Sequence, residues 1–347
     1  MSSNTDTPES GLDRPFDNII NFRDVGRTIN NIAGKKLVKE GVLFRSARLD
    51  EASEEDIRRL TGDLHISTII DLRSTTEHHM AITKHKKKHP TPFSSAKPES
   101  SSEITEEGRA AEEDEYIHLP SLENTNTTRH LISLTGRAFE KQLLWRLDWW
   151  NFTKVLAYLA SGYRKDAVRI IGENVMKPIG LTGLAMDTLE ASTAEMKEIF
   201  GILSSYPAPS PNVAVVRTTD LGLDSSSGSG SGSRSAVLIH CTQGKDRTGL
   251  IVLLSLLLTG AVAGETIARE YVLSEKELED EPVEEKEARL REIRALGLDE
   301  EYARCPVDFT EMITGFLGEK YGGVQGYLEF IGVEKRVVEK VRGRFLA

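Results

Sequence analysis

Ten residues, His240-Cys241-Thr242-Gln243-Gly244-Lys245-Asp246-Arg247-Thr248-Gly249, constrain this chain more than any other stretch. They separate a short apolar run, Val237-Leu238-Ile239, from a long one, Leu250 to Leu258. The first reads as a buried strand and the second as the body of a helix that faces the core. A tight loop between strand and helix aims several backbone N–H groups at one point before the helix N-terminus, where unpaired amides and the helix dipole favour an anion. Cys241 lies at the floor of that loop, and Arg247 follows six positions later.

Residue type and spacing then suggest a chemistry. A cysteine at a helix N-terminus beside His240 and Arg247 sits in positive potential that favours the thiolate, which is the attacking form. Arg247 can fold its planar fork back over the loop mouth and hold two oxygens of a phosphoryl group as charge redistributes. Thr242, Gln243, Gly244 and Lys245 line the loop, and Gly244 and Gly249 are read as permitting positive φ and close backbone approach. The Thr248 hydroxyl lies near enough in sequence to bond the Cys241 sulfur and stabilise it as a leaving group. Lys245 adds a fixed cation that a multiply phosphorylated ring would reward; the plainer reading is a solvated lysine on the loop shoulder. Cys305, before Pro306 and with no loop of this kind around it, reads as a small buried hydrophobe. No His/Cys/Asp/Glu group has metal-ligand spacing, so neither a metal nor a cofactor is expected.

The loop resembles the signature of cysteine-dependent phosphatases, and its Gly-Lys-Asp-Arg-Thr-Gly core resembles the atypical tyrosine-protein phosphatase and phosphoinositide phosphatase family of bacteria and fungi. Asn21-Phe22-Arg23-Asp24-Val25-Gly26 is similar to that family's first motif, Leu43-Phe44-Arg45-Ser46-Ala47-Arg48-Leu49 to its second, and Asp71-Leu72-Arg73-Ser74-Thr75-Thr76-Glu77 to its third. Tyr321-Gly322-Gly323-Val324-Gln325-Gly326-Tyr327-Leu328 with Gly332-Val333 is similar to its closing helical pair. The resemblance implies an α/β phosphatase fold with a mostly parallel central sheet flanked by helices. It also implies a phosphocysteine intermediate and activity on phosphotyrosine, phosphoinositides or both. Arg23, Arg45, Arg48 and Arg73 are candidates for positive potential at the mouth, with Arg23 and Arg73 as candidate substrate contacts beside the loop residues. The general acid stays open. No Trp-Pro-Asp tripeptide occurs, and Asp71, Asp246 and Asp220 all qualify. Asp71 ends the apolar strand Thr68-Ile69-Ile70 at the edge where α/β sites assemble, and resembles the family aspartate considered for the role. Its other reading is a partner that orients Arg73 or the loop backbone.

The 347 residues are read as a flexible arm, 1–15, and one domain, 16–347, with low-complexity insertions at 84–115 and 222–235. A net charge of −10 argues against general affinity for nucleic acid or anionic membrane, so phosphate must be drawn by local focusing in a cleft. No run of 18 apolar residues predicts a transmembrane segment. Two widely separated cysteines and a polar start suggest a cytoplasmic setting, or a nuclear one; oligomeric state is left open. Leu143, Leu144, Leu147, Trp150 and Val155 recur at helical spacing, and Trp145, Trp149 and Trp150 are all the tryptophans of the chain. They are read as buried anchors, the alternative being a hydrophobic lid or a lipid-facing wedge. Two rival functions also fit the sequence: a catalytically silent phosphate-binding adaptor for a phosphorylated partner, and a redox-sensing thiol protein.

Overall fold

Five strands meet in one sheet because the central one is apolar on both faces. The computed structural model describes residues 16–88, 122, 125–205, 235–279, 281 and 283–347, with the side chains of 85–88 and 285 excluded. The strands are β1 (Arg23–Asp24), β2 (Leu43–Ser46), β3 (Ile66–Asp71), β4 (Thr128–Leu131) and β5 (Ala236–His240), in the order β1-β2-β5-β3-β4. β1 runs antiparallel to β2, and the other three pairings are parallel. Along β5, Val237 and Ile239 join one hydrophobic cluster while Ala236 and Leu238 join another on the opposite face. A strand covered on both sides reads as an unbroken apolar run, which is why this one was legible.

Fourteen α-helices surround the sheet among the described residues: α1 (Val25–Ala33), α2 (Glu54–Arg58), α3 (Thr75–Lys88), α4 (Arg137–Trp145), α5 (Trp149–Ala160), α6 (Arg164–Ile171), α7 (Lys177–Ala191), α8 (Thr193–Ser205), α9 (Asp246–Thr259), α10 (Gly264–Glu277), α11 (Val283–Ala295), α12 (Phe309–Tyr321), α13 (Val324–Phe330) and α14 (Lys335–Phe345). α9 is buried on nearly all faces, packing against α7, α10, α13 and α14, and stops at Gly260 in the left-handed region with φ of 68°. Ser53 caps α2 as its sequence suggests: its Oγ accepts from Asp56 N at 3.1 Å, and Asp56 Oδ2 accepts from Ser53 N at 3.0 Å. The same carboxylate accepts from Asp17 N and Asn18 N at 2.9 and 3.1 Å, which ties the segment before β1 to α2.

Three features depart from the sequence reading. The period of the sequence after Pro120 reads as helical through residue 205, but the polar residues Thr128-Arg129-His130 form part of an edge strand, β4, because the parallel ladder to β3 supplies their backbone partners. α14 was not anticipated, and it closes the fold by burying Val338, Val341 and Phe345 on one stripe. The tryptophans are not buried anchors: Trp145, Trp149 and Trp150 are 72%, 72% and 75% exposed. α5 carries apolar residues on more than one face, and Val155 is its one buried residue. Tyr116-Ile117-His118-Leu119-Pro120 reads in sequence as a strand and Tyr206-Pro207-Ala208-Pro209-Ser210-Pro211 as a helix stop; both lie outside the described residues, as do the arm 1–15, Asp220 and nearly all of both insertions.

Gly26 opens α1 where the chain passes beneath β2's approach, and a Cβ there would lie 2.1 Å from the Lys39 carbonyl oxygen. Gly26→Ala is expected to lose about 1–3 kcal/mol in urea unfolding, the cost of forcing backbone apart in a packed site.

Candidate active site

Between His240, the last residue of β5, and Asp246, the first of α9, the chain turns through Cys241 to Lys245. Gly244 adopts φ of 67°, and a Cβ there would lie 2.1 Å from Ser46 O, so no other residue fits. Four successive carbonyls of this turn are held from outside. Thr242 O accepts from Arg48 N at 3.2 Å, Gln243 O from Asn21 Nδ2 at 2.9 Å, and Gly244 O and Lys245 O from Arg45 Nη2 at 2.7 and 3.2 Å. In a trans peptide the N–H points opposite to the C=O. Anchoring these carbonyls outward therefore turns the following amides, Gln243 to Asp246, toward the concave side above Cys241. α9 carries no side-chain cap, so its first amides also have no internal acceptor.

One buried carboxylate organises the anchors. Glu270 on α10 accepts from Arg45 Nη1 at 2.7 Å and from Arg23 Nε at 2.8 Å. Burial opposes its charge, but the two guanidiniums outweigh that and hold it below the usual carboxylate range. Arg23 also donates to Asn21 Oδ1 at 2.5 Å, Glu270 O at 3.0 Å and Ser274 Oγ at 2.8 Å. Burial and the neighbouring Arg45 push Arg23 down to about 10. Arg23 is thus a strut behind Asn21 rather than a cation at the mouth, a correction to the sequence reading.

Arg247 is set by Glu77, which the motif contained but the chemistry had not singled out. The fork donates to both Glu77 oxygens, at 2.7 and 2.6 Å, and to Leu72 O at 3.3 Å. Burial opposes the charge on Arg247, and Glu77 outweighs it, keeping the guanidinium above its ordinary value. Glu77 in turn accepts from Thr242 Oγ1, from Ser74 N at 2.9 Å and from Ser74 Oγ at 2.8 Å. The signal was present: Ser74-Thr75-Thr76-Glu77 is a capping box at the start of α3. The same pairing commits the Thr242 hydroxyl to Glu77.

The remaining candidates separate by burial. Asp71 is enclosed, accepting from Arg73 N at 3.1 Å, Arg73 Nη2 at 2.9 Å and Arg129 Nη2. Burial works against its charge, but His240, Arg73 and Arg129 outweigh it and hold Asp71 well below the usual range. Arg73 is spent on Asp71 and on Asp50, at 2.6 and 2.9 Å, so it too is corrected from substrate contact to internal pair. His240 lies fully buried, its Nδ1 3.4 Å from Cys241 O and its Nε2 3.4 Å from Asp71 Oδ2. Burial, reinforced by Arg73 and Arg129, outweighs Asp71 and pushes it down to about 4, so it does not bring positive charge to the loop at neutral pH. Lys245 is likewise buried and donates to Tyr302 O at 3.1 Å and Arg304 O at 2.5 Å; the structure makes it a staple for the 300–304 segment instead of a cation beside the cradle. Asp246 is partly exposed, accepts from Tyr271 Oη at 3.0 Å and lies 3.5 Å from Lys245 Nζ. Thr248 Oγ1 and Gln243 Oε1 are buried and have no hydrogen-bond partner among the described residues, so the contact expected between Thr248 and the sulfur is not made. Gly249 is helical rather than at positive φ; it is small because a Cβ would lie 2.8 Å from the Tyr271 ring. Cys305 is buried, and burial pushes its thiol up to about 11. Both cysteines are free, and no group of His, Cys, Asp or Glu among the described residues could hold a metal ion.

A sequence model of the tyrosine phosphatase family matches residues 14–140 and 227–347, which contain every element of this site. The chain belongs to that family. Among its curated relatives, a tyrosine-protein phosphatase of Nostoc commune is 35% identical over 114 residues, covering 31% of this chain and 38% of that protein. The triple specificity protein phosphatase PtpB of Mycobacterium tuberculosis is 31% identical over 126 residues, covering 32% of this chain and 44% of that protein. The chain thus spans less than half the length of the relatives it matches. No helix of the described residues is long and apolar enough to cross a membrane.

Glu270→Ala leaves two arginines unpaired in a buried site, and about 3–5 kcal/mol of stability is expected to be lost in denaturant unfolding. His240 generates a pH dependence. Its folded value, about 4, lies below the ordinary 6.5, so between these the unfolded chain binds a proton that the folded chain does not. Stability is expected to fall as pH drops from 6.5 toward 4, by about 3 kcal/mol from this group. His240→Gln should flatten that part of the stability profile measured across the window.

Proposed function

We propose that this member of the tyrosine phosphatase family hydrolyses phosphate monoesters through a phosphocysteine intermediate at Cys241. The observation that carries the reading is the ring of outward-anchored carbonyls around a buried cysteine, closed by an arginine whose fork is aligned by a carboxylate. Inward amides and Arg247 would hold the equatorial oxygens while Cys241 Sγ bonds to phosphorus and the ester oxygen leaves. An arriving phosphoryl group would share the Arg247 fork with Glu77, which keeps the guanidinium planar to the mouth and only 20% exposed. The unpartnered Thr248 hydroxyl is available to the sulfur or to a bound oxygen once the site is filled.

We assign proton donation to the leaving oxygen to Asp246. It opens α9 directly after the loop with part of its side chain open to solvent, whereas Asp71 is surrounded by guanidiniums that leave it no proton to give. In the second step the same carboxylate takes a proton from water, which attacks phosphorus and releases Cys241. Phosphotyrosine and phosphoinositides are the proposed substrates; the name of the PtpB relative supports breadth, while the engagement of Lys245 removes the feature that favoured inositides. The proposed unit is residues 16–347, and free cysteines suit a cytoplasmic or nuclear setting. With the Cys305 thiol raised by burial, nothing favours the redox-sensor reading.

Cys241→Ser is expected to abolish turnover of p-nitrophenyl phosphate, and Arg247→Lys to lower kcat about a hundred- to a thousandfold. Phosphate or vanadate binding by the unaltered chain without any turnover would instead make it an adaptor. Asp246→Asn should leave the initial burst of p-nitrophenolate unchanged, because that leaving group needs no proton, yet slow the burst with phenyl phosphate about a hundredfold or more; steady-state turnover of both falls because the second step loses its base. If Asp71→Asn gave that selective loss and Asp246→Asn did not, the acid would be Asp71.

A further inference from the structure

We propose that the exposed aromatic face of α4, α5 and α6 is a docking surface for anionic phospholipid bilayers, separate from the chemistry at Cys241. Phe152 lies between Trp145 and Trp149, at ring-centroid distances of 6.3 and 6.4 Å, which makes one continuous aromatic ridge. Leu156 and Leu159, 47% and 41% exposed, extend the apolar surface along α5, and Tyr163 stands 60% exposed beyond its end. A soluble chain rarely presents so much contiguous apolar surface without a use for it. The ridge also lies between the two stretches that match the family, so neither β5 nor the loop it feeds requires it.

Charge decides which partner fits. Residues 137–177 carry eight basic against four acidic side chains in a chain whose net charge is −10. Lys141, Lys154, Arg164 and Lys165 are exposed and make no ion pair among the described residues. Arg146 pairs with Asp187, Arg169 with Glu173 and Lys177 with Asp299, which leaves five bases against Glu140, Asp148 and Asp166. A local cationic patch on an anionic protein, interleaved with Trp and Tyr, matches a surface of acidic headgroups over hydrocarbon, where indole and phenol rings settle at the boundary. A second copy of the chain would bring one basic excess against another, which disfavours self-association through this face.

The experiment adds the full chain to vesicles of phosphatidylcholine alone or of phosphatidylcholine mixed with phosphatidylserine. Neither lipid is a phosphomonoester, so the outcome does not depend on the proposed catalysis. Because the chain has three tryptophans and all lie on this face, intrinsic emission reports on it alone. A blue shift and co-sedimentation with the phosphatidylserine vesicles are expected, weakening as salt is raised and far smaller with phosphatidylcholine alone. Trp149→Ala combined with Trp150→Ala should lower partitioning about tenfold or more. Lys154→Ala and Lys165→Ala should each lower it about fivefold. All of these should leave the circular dichroism spectrum and p-nitrophenyl phosphate turnover unchanged. Emission that vesicles do not move would overturn the proposal. So would an equal shift with both vesicle types, or a shift that grows with protein concentration in the absence of lipid, which would make the occupant a second copy.

Discussion

The site depends on holding four peptide carbonyls away from the point where an anion would sit. A loop of small and polar residues has no reason of its own to turn its amides inward, since each amide could equally face solvent or pair within the chain. Arg45, Asn21 and the Arg48 amide remove that freedom by capturing the opposite ends of the same peptide planes. The cradle is therefore built from behind. Gly244 makes the geometry possible, because its Cβ-free backbone lies against the end of β2, the strand that supplies Arg45.

Charge is distributed so that most cations near the site are consumed by it. Glu270 takes Arg23 and Arg45, and Asp71 takes Arg73 and Arg129, all within the interior. Such pairs add little net stability, because desolvation offsets most of the attraction, but breaking one leaves an uncompensated charge. Their effect is to fix one arrangement of the loop. Arg247 differs in that its carboxylate partner also caps α3 and holds Thr242, so the fork is oriented while its outer edge stays accessible. An overall negative chain can thus present one aligned guanidinium to a dianion.

The 137–177 region follows a different logic. Its helices were legible from apolar spacing, but spacing identifies a face and not what covers it. α5 has apolar residues on both sides; Val155 found the interior, and the tryptophans were left facing out. The core beneath was already supplied by α4, the 172–176 turn and α7 through Phe139, Leu143, Val175 and Leu184.

From sequence alone, β5, the loop and α9 could be placed, as could the cap of α2, because each is declared by local chemistry: an unbroken apolar run, a capping pair, a glycine that must turn; the mostly parallel sheet followed from the family resemblance. Cys241 and Arg247 stood out as candidates for the same reason. The duties of the remaining charged residues were decided only by tertiary structure. Arg23, Arg73, His240 and Lys245 all carry cationic potential in sequence, and each has at least one partner more than twenty residues away: Glu270, Asp50, Asp71 and the Tyr302 carbonyl. Electrostatic roles are set by distance and burial in three dimensions, and neither quantity is encoded in the spacing of residues along a chain.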